Sequence, residues 1–139
     1  MDLERLMAVW DTPPDVDTEA AFRALYADPF LLNGATVPVA QLVAMSRGMH
    51  AAVTEQRREI LDVVTAGPDR VAVAFVVHGR HTGSLPTRLG PVAATGGVIA
   101  MPVIDVFTLA DGLITEVRAV SDELGMLIGL GVVALGGPS

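Results

Sequence analysis

Residues 98–122 read VIAMPVIDVFTLADGLITEVRAVSD, and this stretch decides the fold. It predicts two long strands joined by a tight turn at Ala110–Gly112, because Asp-Gly between two β-rich runs is a strong hairpin signal. Period-two alternation places five apolar residues and one carboxylate on one face of the first strand. These residues are Ile99, Met101, Val103, Asp105, Phe107 and Leu109. The opposite face is also largely apolar, which predicts a strand covered on both sides.

Asp105 is the residue that departs from this apolar pattern. An isolated carboxylate is costly to bury, so Asp105 lies either at a hydrated pocket or among hydrogen-bond partners. We therefore take Asp105 as a candidate site residue, with a satisfied structural carboxylate as the alternative.

The composition restricts the chemistry available to the protein. A single domain over residues 1–139 is expected, and the absence of Cys excludes thiol chemistry. A net charge of −7 without a basic run disfavours nucleic-acid binding. No apolar run reaches the ~18 residues of a membrane span, and no signal peptide is evident, so we expect a cytoplasmic protein. With three scattered His and no phosphate-binding loop, neither a metal nor a cofactor is expected, which leaves carboxylate acid–base chemistry.

The order of elements favours an α+β fold. Residues 2–10 predict a first helix, a second helix is expected to end at Asp28-Pro29, and Pro38 is predicted to open a third. Consecutive long strands follow, and Asp122 is expected to start a short C-terminal helix. Helices followed by strands indicate α+β. A strongly bent, mainly antiparallel sheet with helices on one face would form a cone around an internal cavity.

Four acids occupy positions that suit a catalytic site: Asp28, Glu55, Asp105 and Asp122. Asp28 precedes a proline at the start of an apolar strand, and Glu55 lies at a helix-to-strand junction. Each has a structural alternative. These are a helix-end turn for Asp28, a solvated charge beside two arginines for Glu55, and a helix N-cap for Asp122.

Five further residues are candidates for substrate binding. His78 and His81 point to opposite faces of one strand, so regular geometry lets only one of them line a cavity. Arg118 shares a face with Asp122 and is expected to pair with an acid or to tune its pKa. Asn33 and Trp10 complete the candidates, with a packing role as the alternative.

Several segments together resemble the SnoaL-like branch of the nuclear-transport-factor-2-like superfamily. They are YADPFLLNG, HGRHTG, the TG of VAATGG, DVFTLADGLIT and SDELGMLIGLGV, in the family's order over nearly the whole length. The resemblance implies a cone of three N-terminal helices on a strongly curved, mixed, mainly antiparallel sheet that encloses an apolar cavity. It also implies a homodimer, alone or with a paralogous subunit.

Within this branch, the chain looks most like the small epoxide hydrolases and cyclases of polyether-antibiotic biosynthesis. That resemblance implies a polyketide polyepoxide as substrate, and intramolecular epoxide opening to a tetrahydrofuran or tetrahydropyran ring. It also implies an acidic pair, matched by Asp28 and Glu55. VRAVSD is similar to the closing Arg-x-x-x-Asp of limonene-epoxide-hydrolase relatives, matched by Arg118 and Asp122.

Two alternatives accompany this prediction. Carbon-ring polyketide cyclases of the same branch use an acid near Asp122, although Gly129 stands where they commonly have Gln. A non-catalytic ligand-binding or allosteric partner subunit is the other alternative, since the fold also serves binding modules.

Overall fold

A computed structural model describes residues 1–134 and 136. The helices are α1 Leu3–Asp11, α2 Thr18–Arg23, α3 Val39–Ala52 and α4 Glu123–Gly129. The strands are β1 Tyr26–Leu32, β2 Ala35–Val37, β3 Val53–Ala66, β4 Arg70–His81, β5 Leu85–Thr87, β6 Gly90–Val92, β7 Val98–Ala110 and β8 Leu113–Ser121. Within these ranges, no helix has the length and apolar character needed to cross a membrane.

Six strands form one open, mixed sheet in the order β2-β1-β8-β7-β4-β3. The pairing of β1 with β8 is parallel, and the other neighbours in this sheet are antiparallel. Strands β5 and β6 form a separate two-stranded hairpin. The predicted α+β class with a mixed, mainly antiparallel sheet is therefore confirmed.

The turn between β7 and β8 forms where the sequence predicts it. Asp111 and Gly112 both have positive φ, at 51° and 79°. Two consecutive positive φ angles are the signature of a type I′ hairpin turn, which matches the twist of the flanking strands. The register runs from Ala110 opposite Leu113 to Val103 opposite Ser121.

The core lies between the helices and the inner face of the sheet. Core residues from α3, β4 and β7 are all buried: Leu42, Val73, Phe75, Val103 and Phe107. The alternation along β7 also behaves as predicted, because Ile99, Val103 and Phe107 face the core. On the opposite face, Val98 and Ile104 are 68% and 56% exposed. A single chain therefore covers one face of this strand only.

The N-terminal part of the chain differs from the prediction. The second helix ends at Arg23, and Asp28-Pro29 lies inside strand β1 rather than at a helix end. Tyr26 and Phe30 are both buried on β1. Their spacing of four residues suits a helix and a strand alike, and parallel pairing with β8 decides in favour of the strand.

Strand β3 contains an irregularity near its start. It begins at Val53, and its register with β4 shifts between Thr54 and Arg57. Glu55 lies in this bulge with a φ of 56°. An extra residue in one strand reverses which of the later residues face inward, and this shift decides the composition of the site.

Candidate functional site

A cavity of about 350 Å³ lies between the helices and the inner face of the sheet. Apolar side chains from α1, α3, β4 and β7 form most of its wall, among them Leu6, Leu42, Met45, Phe75 and Val103. The polar residues that line it are Trp10, Tyr26, Asn33, Arg58, Arg88, Asp105, Ser121 and Glu123. An apolar cavity with a few polar groups is the usual form of a small-molecule site.

Asp105 brings a carboxyl group into this cavity from the inner face of β7. Its Oδ1 is buried and has no hydrogen-bond partner among the residues that the structure describes. Burial raises the pKa of Asp105 to about 6, although the positive charge of Arg58 opposes this rise. A carboxyl with this pKa is present in both protonation states near neutral pH, as proton transfer in both directions requires.

Tyr26 contributes a hydroxyl group to the cavity from the start of β1. It is 4% exposed, and its oxygen accepts a hydrogen bond from Trp10 Nε1 at 3.3 Å. Burial, and to a smaller degree the charge of Asp105, raise the pKa of Tyr26. The hydroxyl therefore stays protonated near neutral pH and can donate a hydrogen bond to a ligand in the cavity.

Arg58 contributes a cation from β3. Its Nη1 donates to Asp11 Oδ1 at 2.6 Å, and its backbone N–H donates to Asp11 Oδ2 at 3.0 Å. The guanidinium carbon lies 5.6 Å from the centre of the Trp10 ring, within the range of a cation–π contact. Only 9% of the Arg58 side chain is exposed. The helix α1 thus fixes this cation from two sides.

The cavity's remaining polar wall comes from the β1–β2 turn and from the contact between α4 and the β5–β6 hairpin. Asn33 accepts a hydrogen bond from Ala119 N–H at 2.8 Å and donates one to Ala119 C=O at 3.2 Å. Glu123 Oε1 accepts a hydrogen bond from the backbone N–H of Arg88 at 2.9 Å. Asn33 lines the cavity, and both of its amide atoms are engaged by the backbone.

Asp28 does not line the cavity. Its Oδ1 accepts a hydrogen bond from the Val39 N–H at 3.0 Å, and its Oδ2 forms an ion pair with Arg23. The Val39 hydrogen bond and the Arg23 partner lower its pKa. Asp28 therefore links strand β1 both to the first residue of α3 and to Arg23, the last residue of α2. It does not lie at a helix end, and it does not share the cavity with Asp105.

Glu55 and Asp122 also lie outside the cavity wall. Regular alternation from the buried Val53 would turn Glu55 inward, but the bulge leaves Glu55 exposed and turns Gln56 and Arg58 inward. Asp122 accepts a hydrogen bond from Gly125 N–H at 2.8 Å and is the N-cap of α4, its structural alternative. Of the four candidate acids, Asp105 is the one that the structure places in the cavity.

The predicted substrate-binding residues divide in the same way. Trp10 lines the cavity, whereas His78 contacts Glu59 on the outer face at 3.0 Å. His81 is fully buried and faces inward, with Nδ1 accepting from Thr95 N–H at 3.2 Å, but it is not part of the cavity wall. Arg118 is 65% exposed beside Glu116. The two histidines do point to opposite faces, as predicted.

Tyr26 and Arg58 are two of the polar cavity residues that the sequence did not single out, and Arg88, Ser121 and Glu123 are the others. The helical spacing of Phe22, Leu25 and Tyr26 favoured an apolar packing role for Tyr26. Arg58 faces inward only because of the bulge, and no residue pattern marks a bulge there. Among the described residues, no three His, Asp or Glu are arranged to bind a metal ion.

Comparison with known proteins gives the family. A sequence model of the SnoaL-like polyketide cyclases matches residues 3–130. The chain belongs to the SnoaL-like polyketide cyclase family. The family predicted from the sequence is thus confirmed, and the activity that its name carries is ring closure of a polyketide. No curated protein matches the chain significantly.

Solved structures show the same fold. TsrD from Streptomyces laurentii superposes with a TM-score of 0.78 at 21% identity, over 94% of this chain and 92% of that one. IdmH from Streptomyces antibioticus gives 0.74 at 22% identity, over 94% and 96%. A SnoaL-like polyketide cyclase from Agrobacterium tumefaciens gives 0.71 at 17% identity, over 93% and 97%. At identities of 17% to 22%, these superpositions show a shared fold.

Proposed function

We propose that this SnoaL-like protein closes a carbon ring in a polyketide by acid–base catalysis, with Asp105 as the proton-transfer group. One observation supports this proposal above all: the apolar cavity contains a largely buried carboxyl whose pKa is about 6. The hydroxyl of Tyr26 and the guanidinium of Arg58 line the same cavity. The arrangement supplies a base, a hydrogen-bond donor and a positive charge without a cofactor.

The proposed reaction is an intramolecular aldol closure, in which one proton leaves and returns. The Asp105 carboxylate takes a proton from a carbon between two carbonyl groups, and an enolate forms. Tyr26 donates a hydrogen bond to the enolate oxygen. The enolate carbon attacks a second carbonyl carbon of the same chain, a carbon–carbon bond forms, and the new alkoxide takes the proton from Asp105. The carboxylate is restored, so that atoms and charges balance.

The cavity favours this reaction over the epoxide opening predicted from the sequence. The predicted opening needs two carboxyl groups in opposite protonation states around one epoxy-alcohol. Among the described residues of the cavity wall, the carboxyl groups are Asp105 and Glu123, and Glu123 Oε1 is engaged by the Arg88 N–H. Aldol closure needs only one carboxyl, which acts first as a base and then as an acid.

Epoxide opening is the second candidate, with roles that differ from those predicted. Asp105 would accept the proton of the attacking hydroxyl as its oxygen bonds to an epoxide carbon and the epoxide C–O bond breaks. Tyr26 would donate a hydrogen bond to the departing oxygen, and the resulting alkoxide would take the proton from Asp105. The observation that favours epoxide opening is that Asp105 and Tyr26 line one cavity, where the charge of Asp105 raises the pKa of Tyr26.

Parallel incubations test the proposal. The purified protein is offered a linear poly-β-ketone ester and, separately, a model epoxy-alcohol, and products are identified by mass spectrometry and NMR against enzyme-free controls. We expect accelerated carbon-ring formation that Asp105→Asn abolishes and Asp28→Asn preserves. Cyclic ether formed in place of the carbon ring would select the second candidate. Binding of both compounds without turnover would select the ligand-binding alternative.

A further inference from the structure

We propose that Arg58 binds the substrate oxygen that carries negative charge, and that the cavity therefore selects 1,3-dicarbonyl compounds as their enolates. This inference rests on the proposed function and specifies the substrate class for it. Arg58 is a group that none of the sequence motifs indicated, because it faces the cavity through the bulge in β3.

The first argument is the fixed position of the guanidinium. Asp11 accepts from both the side chain and the backbone N–H of Arg58, and the Trp10 ring lies against the same side chain. These contacts already restrict the side-chain conformations of Arg58, so less conformational entropy is lost when Arg58 binds a ligand. An arginine has five N–H donors. In the described part of the chain, one of these meets an acceptor, Asp11 Oδ1, so several remain for a ligand oxygen.

The second argument is the charge balance of the cavity before and after proton transfer. Four further ionisable groups contact Arg58 or line the same cavity: Asp11 from α1, Tyr26 from β1, Arg88 at the tip of the β5–β6 hairpin, and Glu123 from α4. The wall formed by α3 adds apolar side chains: Leu42, Met45 and Met49. Arg58 is therefore the buried cation of the site, because Arg88 is exposed at the tip of the hairpin.

Proton transfer moves a negative charge without changing the total. When Asp105 takes the substrate proton it becomes neutral, and the charge appears on the enolate oxygen. Arg58 interacts with Asp105, since its charge lowers the pKa of that carboxyl. Because Arg58 lines the same cavity as Asp105, its charge compensates the negative charge before and after the transfer, and it favours the enolate most where water is excluded.

Binding of a stable enolate tests this role without requiring turnover. Dimedone is a cyclic 1,3-diketone acidic enough to be largely an enolate anion in mildly acidic solution, where Asp105, with a pKa of about 6, is still partly protonated. Its methyl enol ether is a neutral ligand of similar shape. Isothermal titration calorimetry measures the ratio of the two affinities. We expect the wild-type protein to prefer the anion, and Arg58→Gln to reduce that preference about 10- to 100-fold, as for loss of a charged hydrogen bond. Arg118→Gln is the matched control, since it removes the same charge from the outer face and leaves the preference unchanged.

Arg58→Lys keeps the proposal testable if Arg58→Gln fails to fold. It retains the charge and loses the planar fork, so we expect a several-fold smaller preference for the anion. The indole N–H resonance of Trp10, the only tryptophan, reports whether each ligand enters the cavity. An unchanged preference in a folded Arg58→Gln, or in Arg58→Lys where Gln does not fold, overturns the inference.

The same ligands separate this inference from the proposed function. Asp105→Asn should abolish ring closure while keeping the preference for the dimedone anion. If Arg58→Gln keeps the preference and Asp105→Asn is inactive, only the role of Arg58 fails. If Arg58→Gln loses the preference and Asp105→Asn closes rings normally, only the acid–base role of Asp105 fails.

Discussion

Asp28 and Asp105 are two aspartates of one chain in opposite surroundings. Asp28 lies at the surface on β1, where the Val39 N–H and the Arg23 guanidinium stabilise its charged form and lower its pKa. Asp105 lies on β7 in an apolar cavity, where burial raises its pKa to about 6 and one oxygen has no partner in the described structure. The surroundings of Asp105 thus favour proton transfer, whereas those of Asp28 keep it charged and let it connect elements of the fold.

This difference teaches that a motif match alone does not locate an acid–base group. Asp28 matches one of the two acids in the family that the sequence resembles. Its charged form is nevertheless too well stabilised to take up a proton near neutral pH. Asp105 was identified from an interrupted apolar strand face, which is a statement about burial. Burial without a partner is what shifts a carboxyl toward neutral pH.

The largest expected effect is on catalysis. Asp105→Asn keeps the volume and removes the titrating group, so ring closure should slow by about 100- to 10,000-fold. Asp28→Asn and Glu55→Gln should each change the rate by less than about tenfold, because neither residue lines the cavity. Initial rates on one poly-β-ketone ester measure all three, with the thermal transition of each variant as the folding control. A large loss in Asp28→Asn with normal rates in Asp105→Asn would reverse the comparison.

The second prediction concerns stability, where the two aspartates should act with opposite sign. The ordinary pKa of Asp is about 3.9, and that of Asp105 is raised to about 6. The charged form of Asp105 therefore destabilises the fold. This destabilisation is absent below about pH 4, grows as pH rises, and is complete above pH 6. Above pH 6, the free energy of unfolding of Asp105→Asn should therefore exceed that of wild type by up to about 3 kcal/mol, and this difference should vanish near pH 4.

Asp28 provides the opposite case for the same measurement. Its pKa is lowered, so it stabilises the fold above the unfolded pKa and loses this contribution as pH falls through its folded value. Asp28→Asn should be less stable than wild type at neutral pH and approach it in acid. Urea unfolding across this pH range measures both variants. Parallel pH curves for wild type and Asp105→Asn would contradict a raised pKa at Asp105.

A third prediction uses the two faces of the sheet. Four valine and isoleucine side chains on the outer face have most of their surface exposed: Val64, Val98, Ile104 and Val120. Apolar patches of this kind usually mark an interface. We expect a second copy of this chain to cover the patch in a two-fold dimer. Light scattering should give a dimer for wild type and a monomer for Ile104→Glu, without loss of fold. A monomeric wild type at micromolar concentration would contradict this.

The smallest expected effect is on the pKa of Asp105 itself. Arg58 lowers that pKa, so Arg58→Gln should raise it further, and the acid limb of the rate profile should move to higher pH. Arg118→Gln, on the outer face, should leave the limb in place. A limb that moves to lower pH in Arg58→Gln would show that the two groups do not interact as the structure indicates.

Much of the fold could be predicted from local patterns. The Asp111-Gly112 turn and the inward face of β7 follow from turn chemistry and period-two alternation alone. The end of α2 was misplaced because Tyr26 continues the helical spacing of Phe22 and Leu25, and pairing with the distant β8 places Tyr26 in a strand. Local sequence carries no information about that partner.

The site was predictable to a smaller degree. Of the candidate residues chosen from the sequence, Asp105, Trp10 and Asn33 line the cavity. The bulge in β3 exposes Glu55 and turns Arg58 inward, and this reversal depends on the register between β3 and β4 rather than on any residue type. The role of Asp122 as the cap of α4 was the structural alternative, and a capping bond forms in the same way whether or not a cavity lies nearby.

Carboxyl-carbon NMR titration of the aspartates tests the central claim most directly, because it needs no substrate. The spectra of Asp105→Asn and Asp28→Asn assign the two resonances by their absence. We predict that the Asp105 carboxyl titrates near pH 6 and the Asp28 carboxyl well below it. An Asp105 resonance that titrates at or below the ordinary value of about 3.9 would contradict the account, since the cavity would then contain no group ready to exchange a proton near neutral pH.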